Sequence, residues 1–269
     1  MERIQTDYRE FGRTKVKLSA IGMGTYYDVS WIMASRLLSH REGREEKIAA
    51  LKRGIELGIN LIDTAEVYDT EPLVAEAIQG YQRDTIFVAT KVWSTHLKYG
   101  QVLKAAQRSL EKLRCDYIDL YQIHWPNPLV PIKETMRAME KLVDDGKVRH
   151  IGVSNFSLSQ MKEAEEALSK HELASNQVQY SRRARKIEDD LLPYCERNKI
   201  AILAYRPVAH GALANPSGKL KTVVDEISRK HHGKTPAQIA LNWLVNKSKI
   251  VFPIQEPRDP TGSSRTWEQ

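Results

Sequence analysis

Apolar positions along this chain follow two alternating rhythms. Short runs of strand length occupy positions Ala20–Thr25, Asn60–Asp63, Thr85–Thr90 and Tyr117–His124, then His150–Ser154, Ser175–Gln179, Ile200–Tyr205 and Ile250–Pro253. Between them, apolar residues recur three or four positions apart, the spacing that paints one stripe on a helix. Ile48, Leu51 and Ile55 make one stripe, and Val102, Ala106, Leu110 and Leu113 another; Ile132, Met136, Met139 and Val143 repeat it, as do Ala237, Leu241 and Leu244. Strands that alternate with helices run parallel, because each return to the sheet needs a crossover. Eight such units predict an α/β fold, a closed (β/α)8 TIM barrel, which needs roughly 250 residues; the chain has 269. Before the first barrel strand, two extended pieces around Gly12 predict a β-hairpin that plugs the barrel bottom. Asp28 to Arg44 reads as an irregular loop over the top. No linker or low-complexity tract interrupts the pattern, so 1–269 is expected to be one domain.

Composition narrows the classes. Lys and Arg number 41 against 34 Asp and Glu, a net charge of +7. The densest basic run, Arg182, Arg183, Arg185 and Lys186, has no interleaved aromatics on which bases could stack, so no nucleic-acid partner is expected. Cys115 and Cys195 stand far apart in no metal-ligand spacing, which predicts free thiols and no metal. No apolar run approaches the ~18 residues of a membrane span, and the N-terminus is charged. A soluble, cytoplasmic protein is expected. Its oligomeric state is not legible.

In a barrel of this kind the loops at the C-terminal ends of the strands build the site. Asp63 closes the second predicted strand, Tyr68 follows in the loop, Lys91 closes the third strand and His124 the fourth. A tyrosine hydroxyl, with an ordinary pKa of about 10, exchanges protons poorly near neutrality. A nearby lysine ammonium is expected to lower that value, with a carboxylate holding the lysine charged. A neutral histidine can orient a carbonyl oxygen. Together they describe a general acid, Tyr68, aimed at a carbonyl oxygen acquiring negative charge, with the reducing equivalent supplied by a cofactor. Each residue alone has a structural reading: a buried Asp–Lys pair, a core histidine, a packed tyrosine. Their joint placement is the signal. The glycines Gly22 and Gly24 lack the third glycine and acidic partner of a dinucleotide fingerprint, and read as strand features.

These stretches resemble the aldo-keto reductase family. GINLIDTAEVY is similar to its first signature, IFVATKVW to its lysine strand, YQIHWP to its histidine strand, and KLVDDGKVRHIGVSNF to its second signature. The likeness runs from about Tyr8 to Pro253. It implies that Tyr68 donates the proton, that Asp63 and Lys91 tune it, and that His124 positions the substrate. It further implies that NADP(H), with NAD(H) the alternative, is held by Ser154, Asn155 and Gln177 at the nicotinamide carboxamide and by the ring of Tyr205. Arg206, Pro207, Gly211 and Leu213 would then follow the pyrophosphate, and Thr25, Tyr26 and Asp63 would face cofactor and substrate. Family members usually carry Ser where this chain has Arg206. Trp93, Trp125 and Tyr27 are candidates for a substrate pocket beside His124, with core packing the other reading.

After Pro253 the likeness stops. Residues 255–269, QEPRDPTGSSRTWEQ, are polar and Pro-rich, without helical period or the family's phosphate-binding segment. Permissible codons for this stretch, taken one register earlier, can encode RASRPDGVIANLGA, which resembles the expected segment. A frameshift near Gln255 is therefore the reading for the tail. The expected consequences are a missing last helix and C-terminal loop, an uncovered barrel flank and a weakened grip on the adenosine half of the cofactor. The function expected is reduction of a small carbonyl substrate. The alternatives are a non-catalytic nucleotide-binding or regulatory barrel, and a Schiff-base isomerase or aldolase built on Lys91.

Overall fold

The computed structural model describes residues 6–27, Ile32 and 43–257. Two short strands, β1 (Tyr8–Glu10) and β2 (Lys17–Ser19), form the expected hairpin. Eight parallel strands then close a barrel: β3 (Gly22–Gly24), β4 (Leu61–Asp63), β5 (Phe87–Val92), β6 (Ile118–Ile123), β7 (Val148–Ser154), β8 (Leu173–Gln179), β9 (Ala201–Tyr205) and β10 (Val251–Gln255). Strand order follows the sequence, and β10 pairs with both β9 and β3 to complete the circle. Helices α1 (Arg44–Glu56), α2 (Glu71–Ile78), α3 (Tyr99–Leu113), α4 (Ile132–Asp144), α5 (Leu158–Ala167) and α6 (Leu191–Asn198) each fill one crossover, while α7 (Gly218–Lys230) and α8 (Pro236–Lys247) share the last.

The helices bury the stripes read from the sequence. Leu51, Val102, Ala106, Leu113, Met136, Met139 and Leu244 are fully buried or nearly so against the outer faces of the strands. Where helices need fixed starts, the caps are in place. Ser157 with Gln160 opens α5, and Thr235 with Gln238 opens α8, each by reciprocal side-chain and backbone hydrogen bonds that satisfy orphan N–H groups.

Inside the barrel a second core fills the bottom. Phe11, carried by the hairpin turn, meets Phe87 and Phe252 at ring-centroid distances of 5.3 Å each, and Leu18, Leu61, Leu120 and Leu203 pack above them. The hairpin does plug the barrel. Gly12 makes this approach possible: its φ is +55°, and a Cβ there would lie 2.4 Å from the carbonyl oxygen of Lys199.

Two expectations change. The barrel strand read as ending at Pro253 continues to Gln255, which pairs with Met23, so the first residue of the supposed tail belongs to the sheet. Alternation explains why: Phe252 and Ile254 point inward, and the backbone passes from a ladder with β9 at Val251–Pro253 to one with β3 at Ile254–Gln255. Most of the expected loop from Asp28 to Arg44 lies outside the described residues, as do residues 258–269 of the tail. On the flank beside the start of β3, Ile21, Ile227, Ile239, Leu241 and Val245 line an open groove of about 410 Å³.

Candidate active site

Above the apolar plug, the inward side of the strands turns polar. Asp63, Lys91, Gln122 and His124 occupy successive inward positions at the ends of β4, β5 and β6, and Ser154, Gln177 and Tyr205 do so on β7, β8 and β9. All of them except Lys91 and Gln122, which lie beneath it, line a cavity of about 570 Å³ at the C-terminal mouth of the barrel. Thr25, Tyr26, Asp63, Tyr68, Trp93, His124, Trp125, Ser154, Asn155, Gln177, Tyr205 and Arg206 all stand on its wall.

The four residues singled out by strand-end placement are brought together. Lys91 is fully buried and reaches Asp63 Oδ1 at 2.6 Å and the Thr64 carbonyl at 2.8 Å. Asp63 Oδ2 accepts from Gln177 Nε2 at 2.9 Å and Gln122 Nε2 at 3.3 Å. The Lys91 ammonium lies 4.9 Å from the centre of the Tyr68 ring, and the Tyr68 hydroxyl is 3.2 Å from His124 Nε2. Tyr26 packs edge-on against Tyr68, and Trp93 edge-on against His124, with centroids 5.1 Å apart in both pairs. Tyr68 and His124 are thereby held by rings on either side.

The electrostatics correct one expectation. Lys91 was expected to lower the pKa of Tyr68; burial instead raises it well above the ordinary value, and the negative charge of Asp63 adds to the rise. Desolvation wins because the phenol is enclosed by Tyr26, His124 and the barrel wall, while Asp63 screens the lysine charge that would favour a phenolate. Burial also lowers the pKa of Lys91, with the Asp63 carboxylate opposing the shift. For His124, burial followed by the Lys91 charge drives the pKa down to about 2, so the ring is neutral throughout the physiological range.

A depressed folded-state pKa contributes stability that is full above the unfolded value of about 6.5 and is lost as pH falls through the window towards about 2. Unfolding free energy of the wild type, measured by denaturant titration, is therefore expected to fall more steeply between pH 6 and 4 than that of His124→Gln. The difference in slope should approach one proton, about 1.4 kcal/mol per pH unit. Identical slopes would mean that His124 is not buried neutral.

The second row of residues forms its own network. Ser154 Oγ donates to the Gln177 carbonyl at 2.9 Å, and Asn155 Nδ2 donates to the His124 carbonyl at 3.0 Å and to Ser154 Oγ at 3.1 Å. The Tyr205 hydroxyl donates to Asn155 Oδ1 at 2.9 Å. Asn155 and Arg206 both hold positive φ, 60° and 55°, at the cavity wall. Such backbone is uncommon away from glycine and is tolerated best by asparagine.

Other expected residues fall elsewhere. Tyr27 is not on the cavity wall: its ring lies under the Lys47 ammonium of α1, 4.8 Å away. Pro207, Gly211 and Leu213 lie in the turns after β9 and off the wall, Leu213 buried. Conversely, Ile32, Val67, Gln179, Ile254 and Glu256 line the cavity without having been singled out. Gln122 and Gln179 were within reach of sequence reasoning, since each is two residues along the strand from a singled-out residue. Glu256 was hidden by the assignment of its segment to an atypical tail.

Comparison with known proteins decides the relationship. The profile of the aldo/keto reductase family matches residues 21–261. This chain belongs to that family. It is 38% identical over 241 residues to the methylglyoxal reductase YeaE of Escherichia coli, covering 88% of this chain and 80% of that protein. It is 36% identical to the aldo-keto reductase YhdN of Bacillus subtilis, covering 94% and 86% of the two chains. A crystal structure of an aldo-keto reductase from Klebsiella pneumoniae in complex with NADPH superposes with a TM-score of 0.81 at 33% identity, covering 94% of this chain and 85% of that one. Family membership makes this aldo-keto reductase a carbonyl-reducing oxidoreductase on a TIM barrel, and removes the ground for a Schiff-base aldolase.

Proposed function

We propose that this aldo-keto reductase reduces small aldehydes and ketones to alcohols with Tyr68 as general acid, and that α-oxoaldehydes of the methylglyoxal type are among its substrates. The observation that carries the reading is the meeting of the Tyr68 hydroxyl and neutral His124 Nε2, 3.2 Å apart, on the wall of a cavity that also presents Ser154, Asn155 and Gln177. The hydride donor is NADP(H); the Klebsiella relative is in complex with NADPH. The donor set fits it: one hydroxyl and two amides offer both donors and acceptors, which a carboxamide needs to be fixed in one orientation. Tyr205 supplies a ring beside them, and Arg206 a cation for phosphate. When bound, the dinucleotide supplies the hydride.

The chain's own residues do the rest. A carbonyl oxygen entering between Tyr68 and His124 meets an O–H donor and a neutral imidazole, both preorganised by Tyr26 and Trp93. As the oxygen gains negative charge, the proton held on Tyr68 passes to it, and the Lys91 ammonium beside the ring stabilises the phenolate left behind. The raised pKa keeps Tyr68 protonated until that moment, which suits reduction over alcohol oxidation near neutral pH. Trp93, Trp125 and Ile32 give the cavity an apolar side for the remainder of a small substrate. The YeaE relative's name as a methylglyoxal reductase supports the choice of α-oxoaldehydes.

We also read residues 1–269 as one barrel unit acting in the cytoplasm on small molecules; among the described residues no helix is long and apolar enough to cross a membrane. The deciding experiment follows NADPH absorbance against a panel of aldehydes, ketones and dicarbonyls. Turnover is expected to be fastest with α-oxoaldehydes. NADPH binding without turnover of any member would favour the regulatory-barrel reading.

A further inference from the structure

The polar layer beneath the cavity contains a buried amide that reaches neither the proton donor nor the cavity wall. Gln122 is completely buried on β6, two residues before His124 and on the same inward face. It sits directly across the ladder from Lys91 on β5 and from Gly152 on β7. Its Nε2 donates to Asp63 Oδ2 at 3.3 Å, the oxygen that also accepts from Gln177 at 2.9 Å. The other oxygen of Asp63 is committed to Lys91. Space for the Gln122 side chain comes from Gly152, where a Cβ would lie 2.9 Å from Gln122 Cγ. The position therefore holds an amide within a layer otherwise arranged around one carboxylate.

We infer that Gln122 is a positioning residue: it holds Asp63 in register with Lys91 while Gln177 is engaged by the cofactor carboxamide. The inference rests on the proposed role of Gln177. An amide that turns towards a ligand weakens or gives up its hold on Asp63, and a carboxylate with a single remaining partner can rotate away from Lys91. Gln122 faces no cofactor-sized space, so its hydrogen bond persists whatever Gln177 does. The charged and titratable groups around this carboxylate are Lys91 on β5, His124 on β6, Tyr68 in the loop after β4, and Tyr26, Tyr205 and Arg206 at the cavity wall. Removing one amide donor leaves the Asp63 charge less compensated, which makes the Tyr68 proton harder to release.

Two variants test this. Gln122→Met keeps the length and removes the donor; kcat is expected to fall roughly five- to tenfold, and the basic limb of the reduction pH profile to move upward. NADPH affinity, read by quenching of tryptophan fluorescence, should stay within about twofold, whereas Gln177→Met should weaken it severalfold. Gln122→Glu is nearly isosteric and donates only when protonated, so its activity relative to wild type should recover as pH falls. Unchanged kcat and pH profile in Gln122→Met would overturn the inference. So would a loss of NADPH affinity equal to that of Gln177→Met, which would make Gln122 a cofactor ligand. If Gln122→Met does not fold, Gln122→Glu decides: a pH-independent defect refutes a donor role. Unaltered NADPH affinity in Gln177→Met would refute the carboxamide reading separately, since that result does not involve Gln122.

Discussion

Replacing Tyr68 by phenylalanine is expected to lower kcat for carbonyl reduction by roughly 10²- to 10⁴-fold, the range for loss of a general acid. Everything else in the site predicts a clean variant. The ring packs edge-on against Tyr26 and His124, contacts that phenylalanine keeps, and among the described residues the hydroxyl makes one hydrogen bond, to His124 Nε2. Stability should change by less than about 1 kcal/mol, and NADPH affinity should be unaffected because the Ser154, Asn155 and Gln177 row does not contact the hydroxyl. Steady-state kinetics beside a fluorescence titration of NADPH separate the two effects. The wild-type pH profile supplies a second check. With Tyr68 held protonated by burial and Asp63, reduction should show no loss on the basic side until well above neutrality, and alcohol oxidation should rise with pH. His124, with its pKa near 2, contributes no limb between pH 5 and 9. Phenylalanine retaining most of the activity would assign the acid elsewhere.

How far the sequence alone led depends on the kind of signal each residue carried. The barrel was legible because its strands and helices have different hydrophobic periods, and every predicted strand overlaps an observed one. Asp63, Lys91 and His124 were legible because a charged or polar group at the end of an apolar strand has few reasons to be there. Gln122 was not, although it follows the same rule, since an uncharged amide inside a strand draws no notice until its register with Lys91 and Gly152 is known. The direction of the Tyr68 shift was misjudged for a related reason. Sequence places a lysine beside a tyrosine, but whether charge or desolvation wins depends on how completely the phenol is enclosed. Tyr27 shows the same limit at the scale of one residue: its neighbour Tyr26 faces the cavity, and position shortly after a strand end does not say which of two adjacent rings does. Glu256 was lost to composition, because a Pro-rich context suggested a tail where the ladder of β10 still runs to Gln255 and sets the next residue on the cavity wall.

The second large effect belongs to Lys91. Lys91→Met removes a fully buried ammonium whose partners are Asp63 Oδ1 at 2.6 Å and the Thr64 carbonyl at 2.8 Å. Two consequences should appear together. The catalytic one is a fall in kcat of about 10²-fold or more, since the phenolate forming at Tyr68 loses the only cation described within 5 Å of its ring. The structural one is a destabilisation of about 3–5 kcal/mol, the usual cost of removing one partner of a buried pair. Burial already works against this lysine, lowering its pKa despite the carboxylate, so the penalty does not come from losing a favourable charge. It comes from the Asp63 carboxylate, 4% exposed, left with two amides as its only partners among the described residues. A second substitution separates the terms: Lys91→Met combined with Asp63→Leu removes both charges from the barrel interior and should recover part of the stability, the Gln122 and Gln177 amides left without Asp63 Oδ2 keeping it about 1–3 kcal/mol below wild type. Activity should not return, because the double variant still lacks the cation that Tyr68 needs when it gives up its proton. Denaturant titrations of the three proteins, with kcat measured on each, check both parts. A single variant as stable as wild type would show that Asp63 does not depend on Lys91, and activity returning in the double variant would show that Tyr68 does not.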